Sequence, residues 1–276
     1  MPLLLVLAKG VLTGVGKKPS PDAALPDTRL RLPAVRIDAA RMAAYARVCG
    51  FPPDGGEVPI TYPHILGFPL AARIMAARGF PLPLLGLVHT SIEITRHGPL
   101  GPQDRPELTV YAEELRPHHR GTEAVVVTEA RLDGGLVWYD RSTYLARHRT
   151  GHEPEGAAGR EGTAAREPLP VVEKWELPAD LGRRHAAVSG DYNPIHLYPL
   201  TAKPLGFPRP IAHGMWTFAR CLAQSPGPLR AARAEFRAPV LLPGAVTYAA
   251  EGDAFELRGG PDGGRVHLTG SRVSLA

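Results

Sequence analysis

Asp191 and His196 are the residues of this chain whose types and spacing point to proton-transfer chemistry. They lie five positions apart, and Asn193-Pro194, a dipeptide that favours a turn, lies between them. A turn brings the two side chains together, and a carboxylate beside an imidazole can hold a water or hydroxyl group and exchange protons with it. The same pattern also occurs on surfaces without chemistry, so the spacing alone leaves both interpretations open.

A second chemical element lies at Gly214. The residues from Ile211 to Met215 read IAHGM and precede an apolar segment, which predicts a loop followed by a helix. The first turn of a helix has N–H groups without partners inside the helix and carries a partial positive charge. Because Gly214 has no Cβ, a carbonyl oxygen could approach its N–H closely, as an oxyanion hole requires. The sequence therefore predicts an acid/base pair beside an electrophilic site.

The whole segment 189–215, SGDYNPIHLYPLTAKPLGFPRPIAHGM, resembles the hydratase-2 motif of MaoC-like (R)-specific enoyl-thioester hydratases and 3-hydroxyacyl-thioester dehydratases. Its DxNPIH core, the Gly206-Phe207 step and the IAHGM helix start occur in that family's order and spacing. The resemblance implies that Asp191 and His196 hold the water that is added to the double bond. It also implies that the Gly214 N–H stabilises the enolate. The implied substrates are thioesters of coenzyme A or acyl carrier protein, with no cofactor beyond the acyl carrier.

Three further positions of the motif carry weaker expectations. We expect Asn193 to orient the loop through backbone hydrogen bonds rather than to touch substrate, although a substrate contact remains open. His213 is interpreted as a structural residue at the helix start. Some members of the family carry a serine in this helix that supports the water site, and the matching position here is Leu222.

The charges of the chain suit an anionic substrate. The formal net charge is +5, and Lys203, Arg209 and Arg237 lie at or near the motif, where they could bind phosphates of the acyl carrier or simply be solvated. The basic residues are otherwise dispersed, and no nucleic-acid-binding module is recognised, so we expect no nucleic-acid partner.

The two halves of the chain resemble each other. Predicted amphipathic helices at 37–50 and 177–190 both end in glycine, and predicted apolar helices follow at 65–78 and 216–224. Runs of strand character follow in each half, namely 108–112, 124–132 and 246–251. This order predicts an α+β fold in which a helix is wrapped by an antiparallel sheet, and the resemblance implies a double hot dog.

A change of composition separates the halves. Residues 149–166 are rich in Gly, Glu, Arg and Ala without apolar periodicity, which predicts a linker. We therefore expect a first hot dog repeat at 1–148, a linker at 149–168 and a second repeat at 169–276. Such a fused dimer could be a monomer or a homodimer.

Only the second repeat is predicted to be catalytic. It has twenty positions from Gly190 to Pro210, whereas the first has nine from Gly50 to Pro59 and no matching histidine. In the first repeat Pro63 stands where the second has Gly214, and proline has no N–H to offer an oxyanion. In relatives with this layout, the missing segment implies room for a bulkier acyl chain.

Composition narrows the remaining possibilities. With 276 residues, 44% hydrophobic and 21% charged, the chain is typical of a soluble globular protein, without a membrane span. The two cysteines, Cys49 and Cys221, lie in apolar patterns, and no cluster has metal-ligand spacing, so we expect buried thiols, no metal and a cytoplasmic location. The apolar N-terminal segment 1–16 is interpreted as an arm that packs on the body, because no cleavage site follows it.

Two alternatives to a hydro-lyase remain open. A catalytically silent acyl-thioester-binding subunit is favoured by Leu222 and opposed by the intact Asp191 and His196. A hot dog thioesterase is disfavoured because such enzymes usually lack the paired DxNPIH and HGM elements.

Overall fold

The computed structural model describes residues 13–14, 16–53, 56–84, 86–150, 167–260 and 263–275. Its helices are α1 (Ala39–Cys49), α2 (Tyr62–Met75), α3 (Leu181–Ser189), α4 (Pro199–Ala202) and α5 (Gly214–Leu222). Short 3-10 turns occupy Pro194–His196 and Lys203–Leu205.

The strands form one antiparallel sheet. Its members are β1 (Arg29–Leu32), β2 (Val88–Arg96), β3 (Glu107–His118), β4 (Gly121–Leu132), β5 (Gly135–Arg147), β6 (Val171–Leu177), β7 (Leu229–Phe236), β8 (Gly244–Glu251), β9 (Ala254–Gly259) and β10 (Arg265–Ser274). Their spatial order is β1-β3-β4-β5-β2-β7-β10-β9-β8-β6.

This order is symmetric about its centre. Counted from the two edges inward, β1, β3, β4, β5 and β2 of the first repeat correspond to β6, β8, β9, β10 and β7 of the second. Each repeat contributes five adjacent strands, and the seam is the antiparallel pair β2 and β7, where Ile92 lies opposite Ala234. The main core cluster crosses this seam, since it includes residues of both repeats such as Ile92 and Leu268. The α+β arrangement with a fused dimer-like sheet is the one predicted from the internal repeat.

The helix bounds differ from the predicted ones for local reasons. The helix predicted at 65–78 begins at Tyr62, because a proline in the first turn costs no hydrogen bond and Pro63 is therefore tolerated there. The helix predicted at 177–190 begins only at Leu181, since Leu177 pairs with Gly244 in the sheet and Pro178 follows it. The helix predicted at 216–224 begins earlier, at Gly214, and ends at Leu222.

Matched features of the two repeats meet where α1 contacts α3. Both helices end at a left-handed glycine, Gly50 with φ 84° and Gly190 with φ 85°. Tyr45 and His185 occupy equivalent positions before these glycines, and their rings lie 6.0 Å apart. The match of Gly50 with Gly190, drawn from sequence, is therefore also a match in space.

Hydrogen bonds tie each repeat to the helix ends of the other. Arg41 donates from Nε to the carbonyl of Val188 at 2.8 Å and from Nη2 to that of Ser189 at 2.9 Å. In the other direction, the Trp216 indole donates to the carbonyl of Val48 at 2.8 Å. The first repeat thus holds the end of α3, from which the Asp191 loop departs.

Two predicted segments lie largely outside the described residues. They are the N-terminal arm at 1–16 and the linker at 149–168. Among the helices of the described part of the chain, none has the length and apolar character needed to cross a membrane.

Candidate active site

The loop from Asp191 to His196 is built by its own side chains. The Asp191 carboxylate accepts a hydrogen bond from the Asn193 N–H at 3.1 Å, and the Asn193 side chain accepts one from the Ile195 N–H at 3.3 Å. These contacts begin the 3-10 turn that carries His196 inward. The bond from Ile195 is the loop-orienting contact expected of Asn193, and a direct role toward substrate stays untested.

His196 is buried with a defined tautomer. Its Nδ1 lies 2.8 Å from the carbonyl oxygen of Ile211, which can only accept, so Nδ1 carries the proton and Nε2 keeps its lone pair. Burial lowers the pKa of His196 to about 3, with the neighbouring His213 lowering it further. The ring is therefore neutral near pH 7, and Nε2 can act as a base.

His213 lies at the centre of the site. Its Nε2 donates to the backbone carbonyl of Asp191 at 2.9 Å and lies 3.8 Å from the Asp191 carboxylate. Its ring stacks on that of His196, with centroids 3.6 Å apart. The hydrogen bond fits the structural role predicted for His213, and the stacking also makes this ring the surface that positions His196.

Asp191 remains partly open to the cavity. Its side chain is 26% exposed, whereas those of His196 and His213 are buried. One ligand-type atom from each of the three residues lies within 4.8 Å of the others. That spacing allows a single water molecule to reach both the Asp191 carboxylate and a ring nitrogen of His196, because two hydrogen bonds of about 2.8 Å span it.

The same three residues were tested as a metal site. Nδ1 of His196 and Nε2 of His213 donate to backbone carbonyls, which leaves one ring nitrogen of each histidine with a lone pair, beside the Asp191 carboxylate. Three such ligands equal the number at a typical catalytic zinc site. The absence of a metal stays a prediction.

Residues behind the loop support it and were missed from the sequence. A Cβ on Gly182 in α3 would lie 1.9 Å from the carbonyl oxygen of His196, so the loop packs directly on this glycine. His185 lies one turn further, with its ring 4.5 Å from that of His213. Burial lowers the pKa of His185, and neither ring nitrogen has a hydrogen-bond partner among the described residues. A glycine inside a helical pattern was the available signal for Gly182.

Gly214 is the first residue of α5. The side chain of His213, the preceding residue, does not cap the helix. The His213 carbonyl accepts hydrogen bonds from the N–H groups of Trp216 and Thr217 at 3.0 and 3.1 Å. No hydrogen bond of the described residues uses the N–H of Gly214. A Cβ at this position would lie 3.1 Å from the ring of Phe236, so that ring packs closely against the glycine.

A cavity of about 1200 Å³ opens onto these residues and is lined by both repeats. It exceeds the roughly 300–1,000 Å³ of an ordinary small-molecule pocket. Its wall in the first repeat combines polar side chains, among them His64, Thr90 and Glu123, with an apolar group formed by Ile65, Phe68, Ala72, Met75, Leu84 and Leu87. Such a chamber suits a long apolar group whose reactive end lies at Asp191 and His196.

The basic residues predicted near the motif do not lie together. Lys203 does not line the cavity, and Arg209 donates to the carbonyl of Pro243 at 3.0 Å. Arg237 does line it, as an ion pair with Glu235. Other basic residues on its wall were not anticipated; these are His118, His119, Arg120, Arg147, Arg265 and His267.

Leu222 is 1% exposed and belongs to the main core cluster, not to the cavity wall. Thr217, one turn after Gly214, does line the cavity, and its hydroxyl donates to the Gly214 carbonyl at 2.7 Å. The polar group of α5 beside the site is thus a threonine in its first turn.

Comparisons with known proteins point in one direction. Residues 161–257 match the family described as "MaoC like domain". The chain is 38% identical over 236 residues to 3-hydroxyacyl-thioester dehydratase X of Mycobacterium tuberculosis, covering 83% of this chain and 82% of that protein.

Solved structures agree with the fold. The crystal structure of HtdX of Mycobacterium tuberculosis superposes with a TM-score of 0.76 at 34% identity, covering 90% of this chain and 100% of that one. A Mycobacterium tuberculosis protein described as having a double hot dog fold superposes with a TM-score of 0.54 at 12% identity, covering 90% and 96%. The predicted double hot dog is confirmed, and the chain belongs to the MaoC-like dehydratase family.

Proposed function

We propose that this protein is an (R)-specific 3-hydroxyacyl-thioester dehydratase and trans-2-enoyl-thioester hydratase of fatty acid metabolism, a hydro-lyase acting on coenzyme A or acyl-carrier-protein thioesters. The observation that carries the proposal is the placement of the Asp191 carboxylate and a ring nitrogen of His196 within one water of each other, beside the start of α5. The name of the relative from Mycobacterium tuberculosis supports the same reaction class.

In the hydration direction, a water molecule lies between Asp191 and His196. It donates one hydrogen bond to the carboxylate and one to Nε2, which the Ile211 carbonyl leaves unprotonated. The oxygen of this water bonds to C3 of the enoyl thioester as one of its O–H bonds breaks. The released proton is held by the dyad, and both groups are oriented by His213.

The electrons of the double bond move toward the thioester oxygen as the C–O bond forms. The Gly214 N–H, at the positive end of α5, stabilises the resulting enolate. The enolate collapses when the dyad delivers a proton to C2 on the same face. Water is added and nothing is left over, so the reverse sequence is the dehydration and no redox cofactor is required.

The first repeat supplies the acyl chamber in this proposal. Its equivalent of Gly214 is Pro63, which has no N–H, and its loop lacks a histidine matching His196. One active site per chain follows. The division into repeats at 1–148 and 169–276, the choice of acyl carrier, the cytoplasmic location and the monomeric or homodimeric state remain predictions.

The test is hydration of crotonyl-, octenoyl- and dodecenoyl-CoA. The reaction is monitored as the loss of the enoyl-thioester absorbance, and the configuration of the product is determined by chiral analysis. We expect the (R)-hydroxyacyl product, with kcat in Asp191→Asn and in His196→Ala reduced by roughly 10²–10⁴. Arg36→Met, at an exposed position that does not line the cavity, serves as the control and should retain activity.

The same assay addresses the silent-subunit alternative. That alternative predicts binding of acyl-CoA without turnover, and it is the one to adopt if a folded protein hydrates no coenzyme A or carrier-protein ester. Turnover that persists unchanged in Asp191→Asn would contradict the assigned roles.

A further inference from the structure

The first repeat carries an acid and histidine pair of its own. Nδ1 of His64, in the first turn of α2, lies 2.7 Å from Oδ2 of Asp140 on β5. The two residues are 4% and 0% exposed. They are distant in sequence, and neither belongs to the hydratase-2 motif. A buried pair of this kind is costly unless it is compensated, so its presence in the non-catalytic repeat needs a reason.

The pair opens onto the same cavity as the catalytic residues. His64 lines the cavity, and no hydrogen bond to its Nε2 occurs among the described residues. Asp140 lies behind it, with its other carboxylate oxygen buried near Ser142. His64 therefore has one ring nitrogen anchored and the other available to a ligand.

A second histidine stands beside it. The ring of His89 is stacked on that of His64, with centroids 5.9 Å apart and planes 10° apart, and it also lines the cavity. Its Nε2 is buried and has no partner among the described residues. Burial lowers the pKa of His89 to about 3, so the ring is neutral. An unpaired buried ring nitrogen is a polar group that a ligand could satisfy.

These histidines lie along the path from the reactive centre into the apolar chamber. His89 contacts Phe236, with centroids 4.9 Å apart, and Phe236 packs against Gly214. His89 also stacks on Tyr144, with ring centroids 4.6 Å apart. Burial raises the pKa of Tyr144, and Asp140 and Asp191 raise it further, so Tyr144 is within electrostatic reach of both carboxylates. A group bound at His64 would belong to the acyl chain, beyond C3.

We propose, on the basis of the proposed function, that His64 and His89 form a subsite for a second hydroxyl group on the acyl chain. A hydroxyl group fits because it both donates and accepts. It can accept from a protonated His64 paired with Asp140, and it can equally donate to an unprotonated ring nitrogen. A keto oxygen only accepts, and a methylene does neither. The subsite thus makes the chamber selective for a hydroxylated chain.

The test measures binding rather than turnover. Dissociation constants are determined by calorimetry for decanoyl-CoA and for decanoyl-CoA carrying one hydroxyl group at each position from the fifth carbon to the end of the chain. We expect one position to bind about tenfold tighter than the unsubstituted chain, the gain of one buried hydrogen bond. Because these ligands have no double bond, the result is independent of the hydration assay, and the two proposals can fail separately.

Variants assign the effect. His64→Phe keeps an aromatic ring and removes the polar atoms, so the preference should disappear while decanoyl-CoA binds within twofold of its normal affinity. Asp140→Asn leaves His64 in place and should weaken the preference for the hydroxylated chain. This second variant keeps the proposal testable if His64→Phe does not fold. Met75→Leu, on the apolar wall of the same chamber, should change the affinities for both chains alike.

Two results would overturn the proposal. One is that no hydroxyl position improves binding to the unaltered protein. The other is that the preference survives in His64→Phe, which would leave the pair as an internal support of α2.

Discussion

The buried histidines of the active site predict that the fold loses stability in mild acid. Burial lowers the pKa of His196 to about 3 and that of His213 to about 4. In the unfolded chain both would titrate near pH 6.5. The unfolded state therefore takes up protons before the folded state does. The stability that the neutral rings contribute is present above pH 6.5 and is lost as the pH falls below it.

The size of the effect follows from proton linkage. At pH 5 an unfolded histidine is almost fully protonated and a folded one with such a lowered pKa is not, a difference of about 2 kcal/mol per group. His196 and His213 together predict a loss of about 4 kcal/mol between pH 7 and pH 5. Burial of His89 and of His185 adds to the loss, whereas Asp140, whose pKa is raised by burial, opposes it. Since a domain is stable by only about 5–15 kcal/mol, the loss is large.

The measurement is urea unfolding followed by tryptophan fluorescence at pH 7, 6 and 5. His213→Gln keeps a side-chain donor for the Asp191 carbonyl but cannot titrate, so its loss over this range should be about 2 kcal/mol smaller than that of the unaltered protein. His97→Gln, at an exposed position, is the matched control. A free energy of unfolding that changes by less than about 1 kcal/mol from pH 7 to pH 5, or an equal slope in His213→Gln, would refute the reasoning.

Two further predictions concern residues that support the loop from Asp191 to His196 from outside it. Arg41→Met removes both hydrogen bonds to the end of α3 and should lower kcat about tenfold with little change in KM, because misplacing a catalytic group is costly. Arg47→Met on the same helix is its control, and equal kinetics in both variants would contradict the positioning role. Gly182→Ala should destabilise the fold by about 1–3 kcal/mol and reduce hydration, because its Cβ would meet the His196 carbonyl. Gly227→Ala, where a Cβ meets nothing within 4 Å, tests by thermal melting whether the loss is specific to that contact.

Much of the fold was accessible from the sequence because it is local. The turn between Asp191 and His196, the loop-capping contact of Asn193 and the helix that starts at Gly214 depend on neighbours within a few positions. The internal repeat was visible for the same reason, since each copy shows the same order of helices and strands. Boundaries were less accurate: Leu177 has the same apolar character in a helix as in a strand, and its pairing with Gly244 decides between them.

The remaining features depend on contacts between residues far apart in the chain. His213 lies 22 positions from Asp191, and only the packed structure places its ring on His196. His64 and Asp140 are 76 positions apart, and no pattern in either segment marks them as a pair. Sequence by itself determined the motif, its turn and the repeat, because these are set by local backbone preference and periodicity. Only the tertiary structure decided which residues line the shared cavity and which polar groups lie on its wall, because burial and hydrogen-bond partners depend on contacts between residues distant in sequence.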